Sequence, residues 1–295
     1  MSIGTETTIL HEKYSPGTHF DRIFAFPQLK TGVQALGVVE ELGADVDEFA
    51  VGDTIFMRMA HGSHQVLPAA LCSAVPNGID PKHACWCGLA KTAFRAAWAA
   101  DFASQNHVLI VGAGPVGQMA TRWASAEHVA QIGVADLSDN RLRHAENGGA
   151  NLTYAGNITD EAAPFRSMNI GNGPAIVVDT TGNPAVFQHV LNVAGKFGKL
   201  ILLGDTGYPE RQCLTSDMMT KGLTVQATHD SHDRDGWTQR KIDERFFDHV
   251  GAGRFNLNGL ITHEFAPADC REAYALAERH RETALGILFD WSETG

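Results

Sequence analysis

The sequence is poor in cysteine, in long apolar runs and in positive charge. Its 295 residues contain five cysteines, which are Cys72, Cys85, Cys87, Cys213 and Cys270. An odd and sparse set of this kind does not form a disulfide framework, so we expect thiols in a reducing compartment. No stretch approaches the roughly 18 consecutive apolar residues that a membrane helix needs. The start, MSIGTETTILHEKY, lacks the basic and then apolar pattern of a signal peptide, so we expect a cytoplasmic protein.

The shortage of positive charge excludes two classes of partner. Lys and Arg number 23 against 34 Asp and Glu, which gives a formal charge of −11. Nucleic acids and anionic membrane surfaces are not attracted to such a protein. The 44% of hydrophobic residues and the 30 glycines are typical of a globular chain. A chain of this length favours two domains.

From Asn106 onward, short apolar runs alternate with amphipathic ones. Strands are predicted at HVLIV (107–111), QIGVAD (131–136), NLTY (151–154), AIVVDTT (175–181), KLILLG (199–204) and LTVQAT (223–228). Helical spacing occupies 115–126, 138–148 and 184–194. Strands that alternate with helices predict an α/β fold with a doubly wound parallel sheet.

The rest of the sequence has a different pattern. GVVEEL, the polar GADVDEF and AVGDTIFMRM predict a strand, a turn and a returning strand, and HQVLP predicts another short strand. A helix (ADCREAYALAERH) and an apolar run (ALGILFDW) follow near the end. We therefore expect a small β domain at 1–88, completed by 262–295, and a dinucleotide-binding domain at 89–261.

The strongest motif is VLIVGAGPVGQMA, where Gly112, Gly114 and Gly117 follow a predicted strand and open a predicted helix. The first glycine permits a tight turn, the second lets the backbone approach a pyrophosphate, and the third allows close packing of helix and strand. Phosphates would lie at the helix N-terminus, near Pro115 and Val116.

Asp136 ends the second predicted strand, about 20 residues beyond the glycines. A carboxylate there binds both hydroxyls of an adenosine ribose and repels a 2′-phosphate, so the sequence favours NAD over NADP. Arg141 lies in the next predicted helix and is a weaker cofactor candidate. Strand ends add three more candidates for the cofactor site, Thr180, Gly182 and Gly204.

Several segments together resemble the medium-chain dehydrogenase/reductase superfamily. They are GVVEELGADVDEFAVGDTIF, GAGPVG, VADLSDNRL, VVDTTGNPAVFQHVL and GRFNLNGLITHEFAPADCREAYAL. Within it, the chain looks most like a short, zinc-deficient branch with bacteriochlorophyllide dehydrogenase-like proteins. The resemblance implies an abbreviated GroES-like β domain beside a Rossmann domain, and homodimers or higher homo-oligomers. It also implies further residues before the position of Met1, so the domain is either shortened or incomplete in this chain.

The resemblance implies that the zinc ligands of the alcohol dehydrogenases are lost. Ile3 stands at the position of a ligand Cys, and Val33 and Gln34 stand at a His-Glu pair. Valine has no donor atom and a neutral amide is a poor zinc ligand, so no zinc is expected. Cys87 alone remains near a ligand position, and the lobe that holds a structural zinc is missing. An alternative zinc site would need Cys85 and Cys87 with the nearby histidines His61, His64 and His83.

Without zinc, another group must exchange the proton that accompanies hydride transfer. Thr5 occupies the proton-relay position that the resemblance implies, and Lys91 is a candidate partner for it. His229 and His232 follow the last Rossmann strand, where ligands bind in open α/β sheets. Each of these residues also has a purely structural interpretation, as a surface or loop side chain. The aromatic residues Phe20, Phe24, Phe26, Trp86 and Trp237 are candidates for an apolar pocket or for the core.

The sequence therefore predicts an NAD-preferring, zinc-independent oxidoreductase that moves hydride between nicotinamide and a secondary alcohol or ketone. Two alternatives stay open. One is an NADPH-type reductase of activated C=C bonds, as in quinone and enoyl reductases. The other is a non-catalytic redox sensor that binds a dinucleotide. The substrate and the direction of reaction are not determined by the sequence.

Overall fold

The computed structural model describes residues 1–24, 26 and 30–292. The helices are α1 (Ile3–Leu10), α2 (His19–Ile23), α3 (Pro81–Ala84), α4 (Cys87–Ala100), α5 (Pro115–Ala126), α6 (Asp139–Asn147), α7 (Met168–Gly171), α8 (Pro184–Val193), α9 (Asp217–Thr220), α10 (Gln239–Gly251) and α11 (Cys270–Arg279). The strands are β1 (Ala35–Val38), β2 (Thr54–Met57), β3 (Cys72–Ala74), β4 (His107–Val111), β5 (Gln131–Asp136), β6 (Leu152–Ala155), β7 (Ile176–Asp179), β8 (Lys199–Leu202), β9 (Thr224–Ala227), β10 (Ile261–Phe265) and β11 (Gly286–Phe289).

Six strands form a parallel sheet in the order β6-β5-β4-β7-β8-β9. The chain starts at the centre, winds outward to one edge and returns to build the other half, which is the doubly wound arrangement. Its central strands are apolar on both faces, because helices cover both sides of such a sheet. The predicted fold class is confirmed, and the predicted strands agree with the observed ones within a few residues.

A separate sheet of three antiparallel strands has the order β1-β2-β3. It contains the predicted strand and returning strand, but its third strand is Cys72–Ala74. The prediction of a strand at HQVLP was wrong. Val66 is fully exposed there, and the Gln65 side chain donates a hydrogen bond to the Ala60 carbonyl. Pro68 also has no N–H to offer to a ladder.

The end of the chain forms a two-stranded parallel pair, β10 with β11, connected by α11. The apolar face of this group buries Ile287 and Phe289 against Ala273, Ala277 and Ile3. The Met1 ammonium donates a hydrogen bond of 2.8 Å to the Ile287 carbonyl. These contacts tie the first residues of the chain to its last strand.

The chain divides into two compact units. One consists of Met1–Thr7, Phe26–Lys91 and Asp233–Gly295, and the other of Thr8–Ala25 and Thr92–His232. The first contains the antiparallel sheet and the β10-β11 pair, and the second contains the Rossmann sheet. Within the described residues, every helix is too short or too polar to cross a bilayer.

Candidate functional site

The glycine turn joins β4 to α5 at the carboxyl edge of the Rossmann sheet. Gly112 has a φ of +95°, which favours glycine. A Cβ on Gly117 would overlap the carbonyl oxygen of Gly112, so helix and strand approach each other as closely as the sequence predicts. Gly114 is the N-cap of α5 and no side chain caps the helix, while Pro115 at the first position has no N–H. The remaining N–H groups of the first turn are thus available to an anion.

Asp136 lies directly beside this turn. One carboxylate oxygen accepts a 2.7 Å hydrogen bond from the Ala113 N–H, and the other accepts one of 2.9 Å from the Ser138 N–H. The carboxylate is thereby held at the end of β5, next to the glycines. Arg141 also reaches the turn, since a methyl group on Gly114 would lie 3.8 Å from its Nη1. The weaker cofactor candidate from the sequence therefore lies near the glycine turn.

Two buried polar residues of α5 support the turn, and neither was predicted from the sequence. Gln118 donates through Nε2 to the carbonyls of Ala113 and Arg141, each at 2.9 Å. Arg122 is fully buried and donates to Oε1 of Gln118 at 2.9 Å. Burial lowers the pKa of Arg122 to about 9. Polar residues on the buried face of an otherwise apolar helix are the signal that marks them in the sequence.

The carboxyl ends of the neighbouring strands pack against the glycine turn. Thr180 donates through its hydroxyl to the carbonyls of Val111 and Gly112, at 2.9 and 3.0 Å. A Cβ on Gly182 would overlap the carbonyl of Asp205, and Gly204 packs equally closely on Gly182. These three candidates from the sequence therefore pack closely together at the carboxyl edge of the sheet.

This edge of the sheet fits a dinucleotide. It combines a helix N-terminus without a side-chain cap, a glycine turn that allows close approach of phosphate, and a carboxylate at the end of β5. The residues that would hold the cofactor are Gly112, Gly114, Pro115, Val116, Gly117, Asp136, Arg141, Thr180, Gly182 and Gly204.

The two candidate histidines form a cluster after β9. The His229 N–H donates to Nδ1 of His232 at 3.2 Å, and the rings lie 5.8 Å apart. Phe20 packs on His229 at 6.0 Å and stacks on Phe24 at 5.8 Å with nearly parallel rings. The structure therefore brings one predicted aromatic residue, Phe20, to a predicted histidine, while Trp86 lies in the core at 2% exposure.

Thr5 and Lys91 belong to the other unit and have different surroundings. Thr5 is exposed on α1 and its hydroxyl accepts a hydrogen bond of 3.2 Å from Ser2. Lys91 is 5% exposed and donates to Oε1 of Gln239 at 3.3 Å. Lys91 thus lies inside the unit and not on a helix surface. That burial favours a functional interpretation over the surface one.

Lys91 lies in a cluster of buried polar groups around Cys87. The Cys87 thiol is hydrogen-bonded to Asp243, which also accepts a 2.8 Å bond from Ser73. Burial raises the pKa of Cys87 well above its ordinary value and that of Asp243 to about 6, although the charges of Lys91 and Arg58 act in the opposite direction. The cluster therefore holds two cations beside a carboxyl and a thiol.

Arg58 and Gln34 meet at Gly88, next to Cys87. A methyl group on Gly88 would lie 2.5 Å from Nη1 of Arg58 and would overlap Oε1 of Gln34. Nε2 of Gln34 donates to the Cys85 carbonyl at 2.5 Å. Of these residues, Gln34 stands at a position where the resemblance places a zinc ligand, and Cys87 lies near another. Across 1–24, 26 and 30–292, no three His, Cys, Asp or Glu side chains converge on a common point. With a guanidinium and an amide around one thiol, the residues present do not fit zinc.

A second buried network surrounds Glu6. Its Oε2 accepts hydrogen bonds from Tyr274 at 2.7 Å and from His61 at 2.9 Å, and its Oε1 accepts from the Ser2 N–H at 2.6 Å. Burial alone would raise the pKa of Glu6, but His61, the chain's ammonium group and Tyr274 together hold it below its ordinary value. His61 is thus paired with a carboxylate, whereas His64 is exposed and 3.7 Å from Glu40.

The doubly wound sheet and its glycine turn define a nucleotide-binding protein of the Rossmann class. The sequence profile of the zinc-binding dehydrogenase family matches residues 115–240. This match covers less than half of the chain, which is similar to zinc-type alcohol dehydrogenase-like proteins of the medium-chain dehydrogenase/reductase superfamily. Membership of the short, zinc-deficient branch stays a prediction.

The chain is similar to dehydrogenases of several names. It is 31% identical over 173 residues to L-threonine 3-dehydrogenase of Bacillus velezensis, and this match covers 58% of this chain and 47% of that protein. It is 24% identical over 297 residues to L-idonate 5-dehydrogenase of Vitis vinifera, covering 88% and 78%. It thus matches about half the length of the first of these relatives.

Solved structures share the fold. An alcohol dehydrogenase from Thermus sp. ATN1 has a TM-score of 0.77 at 18% identity, covering 97% of this chain and 88% of that one. Two others, from Escherichia coli and Sinorhizobium meliloti, have TM-scores of 0.72 and 0.80 at 19% and 16% identity. The Escherichia coli structure holds NADH, and the match covers 85% of this chain and 81% of that one. The Sinorhizobium meliloti structure holds NADP, and the match covers 97% of this chain and 88% of that one. At such identities the likeness establishes the fold alone.

Proposed function

We propose that this protein is an NAD-preferring, zinc-independent dehydrogenase acting on a secondary alcohol or its ketone. The observation that carries the proposal is the Asp136 carboxylate, held beside the glycine turn by the Ala113 N–H at 2.7 Å. A carboxylate there accepts hydrogen bonds from the two ribose hydroxyls of NAD and repels the 2′-phosphate of NADP. The Rossmann unit would bind the cofactor.

The reaction balances without a further reagent. A bound nicotinamide would supply the redox chemistry by accepting the hydride of the alcohol carbon, and residues of this chain would take up the proton that the hydroxyl releases. The groups proposed for that proton are Thr5 and Lys91 in one unit and His229 and His232 in the other. Lys91 is the best supported of the four, because it is 5% exposed and adjoins a cluster of polar groups.

One observation supports a second candidate, the NADPH-type C=C reductase. Arg141 reaches the glycine turn, 3.8 Å from a methyl group on Gly114, and a guanidinium is the group that accommodates a 2′-phosphate. Asp136 and Arg141 would therefore have opposite effects on the choice of cofactor.

Cofactor titrations of Asp136→Asn and Arg141→Gln test this assignment. We expect the unaltered protein to bind NADH at micromolar concentration and NADPH much more weakly, as followed by quenching of tryptophan fluorescence. Asp136→Asn should weaken NADH binding by about tenfold, since two hydrogen bonds to a charged acceptor are lost. Arg141→Gln should change NADPH binding alone.

Other results would change the assignment. Tighter binding of NADPH by the unaltered protein would favour the reductase of activated C=C bonds. NADH binding without turnover of any alcohol or ketone in a broad panel would favour a non-catalytic sensor. If neither dinucleotide bound, the dehydrogenase proposal would be wrong. A cytoplasmic location and a homodimeric or larger assembly complete the proposal, and sedimentation would test the assembly.

A further inference from the structure

The region around Gly88 contains a cation where the superfamily resemblance implies a metal ion. The candidate ligand positions are Ile3, Val33, Gln34 and Cys87, of which only the last retains a zinc-binding group. The Arg58 guanidinium lies against Gly88, with its Nη1 2.5 Å from where a Cβ would be. A side chain larger than hydrogen at position 88 would displace the guanidinium.

Arg58 comes from a part of the sequence that suggests no such role. It directly follows β2, 24 residues after Gln34 and 29 before Cys87, and it forms no motif with either. Lys91 lies one helical turn beyond Cys87 on α4, so its positive charge adds to that of Arg58 around the Cys87–Asp243 pair. The Cys87–Asp243 pair thus has two positively charged side chains beside it.

Gln34 offers the complementary group. Its Oε1 is buried and has no hydrogen-bond partner among the residues that the structure describes. The same oxygen lies against Gly88, as Arg58 does. A hydroxyl group both donates and accepts, so one alcohol oxygen would satisfy Gln34 as donor and the guanidinium as acceptor.

We propose that the Arg58 guanidinium replaces the metal ion as the group that binds and polarises the substrate oxygen, with Gln34 accepting the substrate hydroxyl. This inference rests on the proposed function for the identity of the substrate as an alcohol or ketone. Guanidinium is charged at every working pH and forms short hydrogen bonds to oxygen, so it stabilises the negative charge that develops there. Arg58 would then be a catalytic residue that no local motif reveals.

Binding of 2,2,2-trifluoroethanol tests the proposal without relying on turnover. This small alcohol resists oxidation, and its fluorine signal reports binding by ¹⁹F NMR line broadening. It is titrated at millimolar concentration into the full chain, with and without NAD. We expect Arg58→Met to weaken binding by at least about tenfold and Gln34→Met by about threefold or more. Arg58→Lys keeps the charge and should weaken it less than Arg58→Met.

Controls separate this inference from failure to fold and from failure of the proposed function. Arg271→Met removes an exposed arginine of the same unit and should leave the titration unchanged. Circular dichroism and NADH quenching are measured on every variant. If the unaltered protein fails to bind NADH yet binds trifluoroethanol through Arg58, the dehydrogenase assignment fails, but the proposal that Arg58 and Gln34 bind an alcohol oxygen is supported.

Three results would overturn the inference. They are equal trifluoroethanol affinity in Arg58→Met and the unaltered protein, no binding by the unaltered protein while NADH binds, and one equivalent of zinc per chain by elemental analysis. Should Arg58→Met not fold, Arg58→Lys and Gln34→Met decide the question. Equal affinity of both with the unaltered protein would then be the contrary result.

Discussion

The Glu6 carboxylate has no exposed surface, so its charged form is stabilised by hydrogen-bond partners and not by water. Removing charge from water is costly unless every lone pair is satisfied. Here His61, Tyr274 and the Ser2 N–H satisfy the two oxygens, and the Thr31 hydroxyl, 2.9 Å away, donates to the Tyr274 oxygen. The network joins four separate segments of one unit, so we expect a single substitution in it to destabilise the contacts among all four.

We predict that Glu6→Gln lowers the free energy of unfolding by about 1–3 kcal/mol, because the amide keeps one acceptor oxygen and puts a donor NH2 group in place of the other. Urea unfolding at pH 7 measures it. The folded-state pKa of Glu6 is lowered from 4.5, so its stabilising effect is present above pH 4.5 and is lost as the pH falls through the lower folded value. The unaltered protein should therefore lose more stability on acidification than the variant does.

The matched control is Glu41→Gln, which removes an exposed carboxylate of the same unit. It should leave both the stability at pH 7 and its acid dependence within about 0.5 kcal/mol of the unaltered protein. If Glu6→Gln and Glu41→Gln behaved alike, the Glu6 network would contribute nothing to stability.

The junction of β4 with α5 is the element on which the cofactor site depends. Gly117 lets the helix approach the strand, and Gln118 and Arg122, one helical turn apart, tie the helix to the turn from inside. An α-helix places residues three and four apart on one face, so these supports share the buried side of α5. The sequence predicted the glycines, but not that a buried arginine would hold them.

We predict that Gly117→Ala reduces the free energy of unfolding by about 1–3 kcal/mol and abolishes NADH binding. The new Cβ would overlap the backbone oxygen of Gly112, which cannot move without shifting the helix from the strand. Thermal unfolding and fluorescence titration measure the two effects. Gly251→Ala is the control, because a Cβ on this helical glycine meets only Ile79, at 3.8 Å. A Gly117→Ala protein that bound NADH normally would contradict the proposed role of the turn.

Strands were easier to predict than the polar connections between them. Every predicted Rossmann strand is present, because a buried parallel strand is a short apolar run with distinct ends. HQVLP is also a short apolar run, but it does not form a strand. A strand needs a partner to pair with, and a local pattern does not show whether that partner exists. Strand β10 was missed for the same reason, since ITHEF pairs with a segment more than 20 residues away.

For the whole molecule, the division into two units predicts where ligand binding will be felt. Every proposed cofactor residue, from Gly112 to Gly204, lies in the unit with the Rossmann sheet. A ligand at 100 times its dissociation constant stabilises the state that binds it by about 2.7 kcal/mol. We predict that NADH slows amide hydrogen exchange most in peptides covering 107–141 and 176–206, as measured by mass spectrometry.

Peptides of the antiparallel sheet, 35–74, serve as the internal reference and should show the smaller change. Asp136→Asn at the same NADH concentration should lose most of the protection. Protection concentrated in 35–74, with none at 107–141, would mean that the cofactor binds somewhere other than the glycine turn.

The sequence by itself determined the Rossmann sheet, the glycine turn and the carboxylate after it. These depend on local periodicity and on spacings within about 25 residues, which a chain carries in its order of residues. Tertiary structure decided which side chains gather around Gly88 and which surround Glu6. Arg58, Gln34 and Cys87 come from distant segments, as do Glu6, His61 and Tyr274, and only the packing of those segments brings their side chains together. Burial then makes each charge depend on its neighbours.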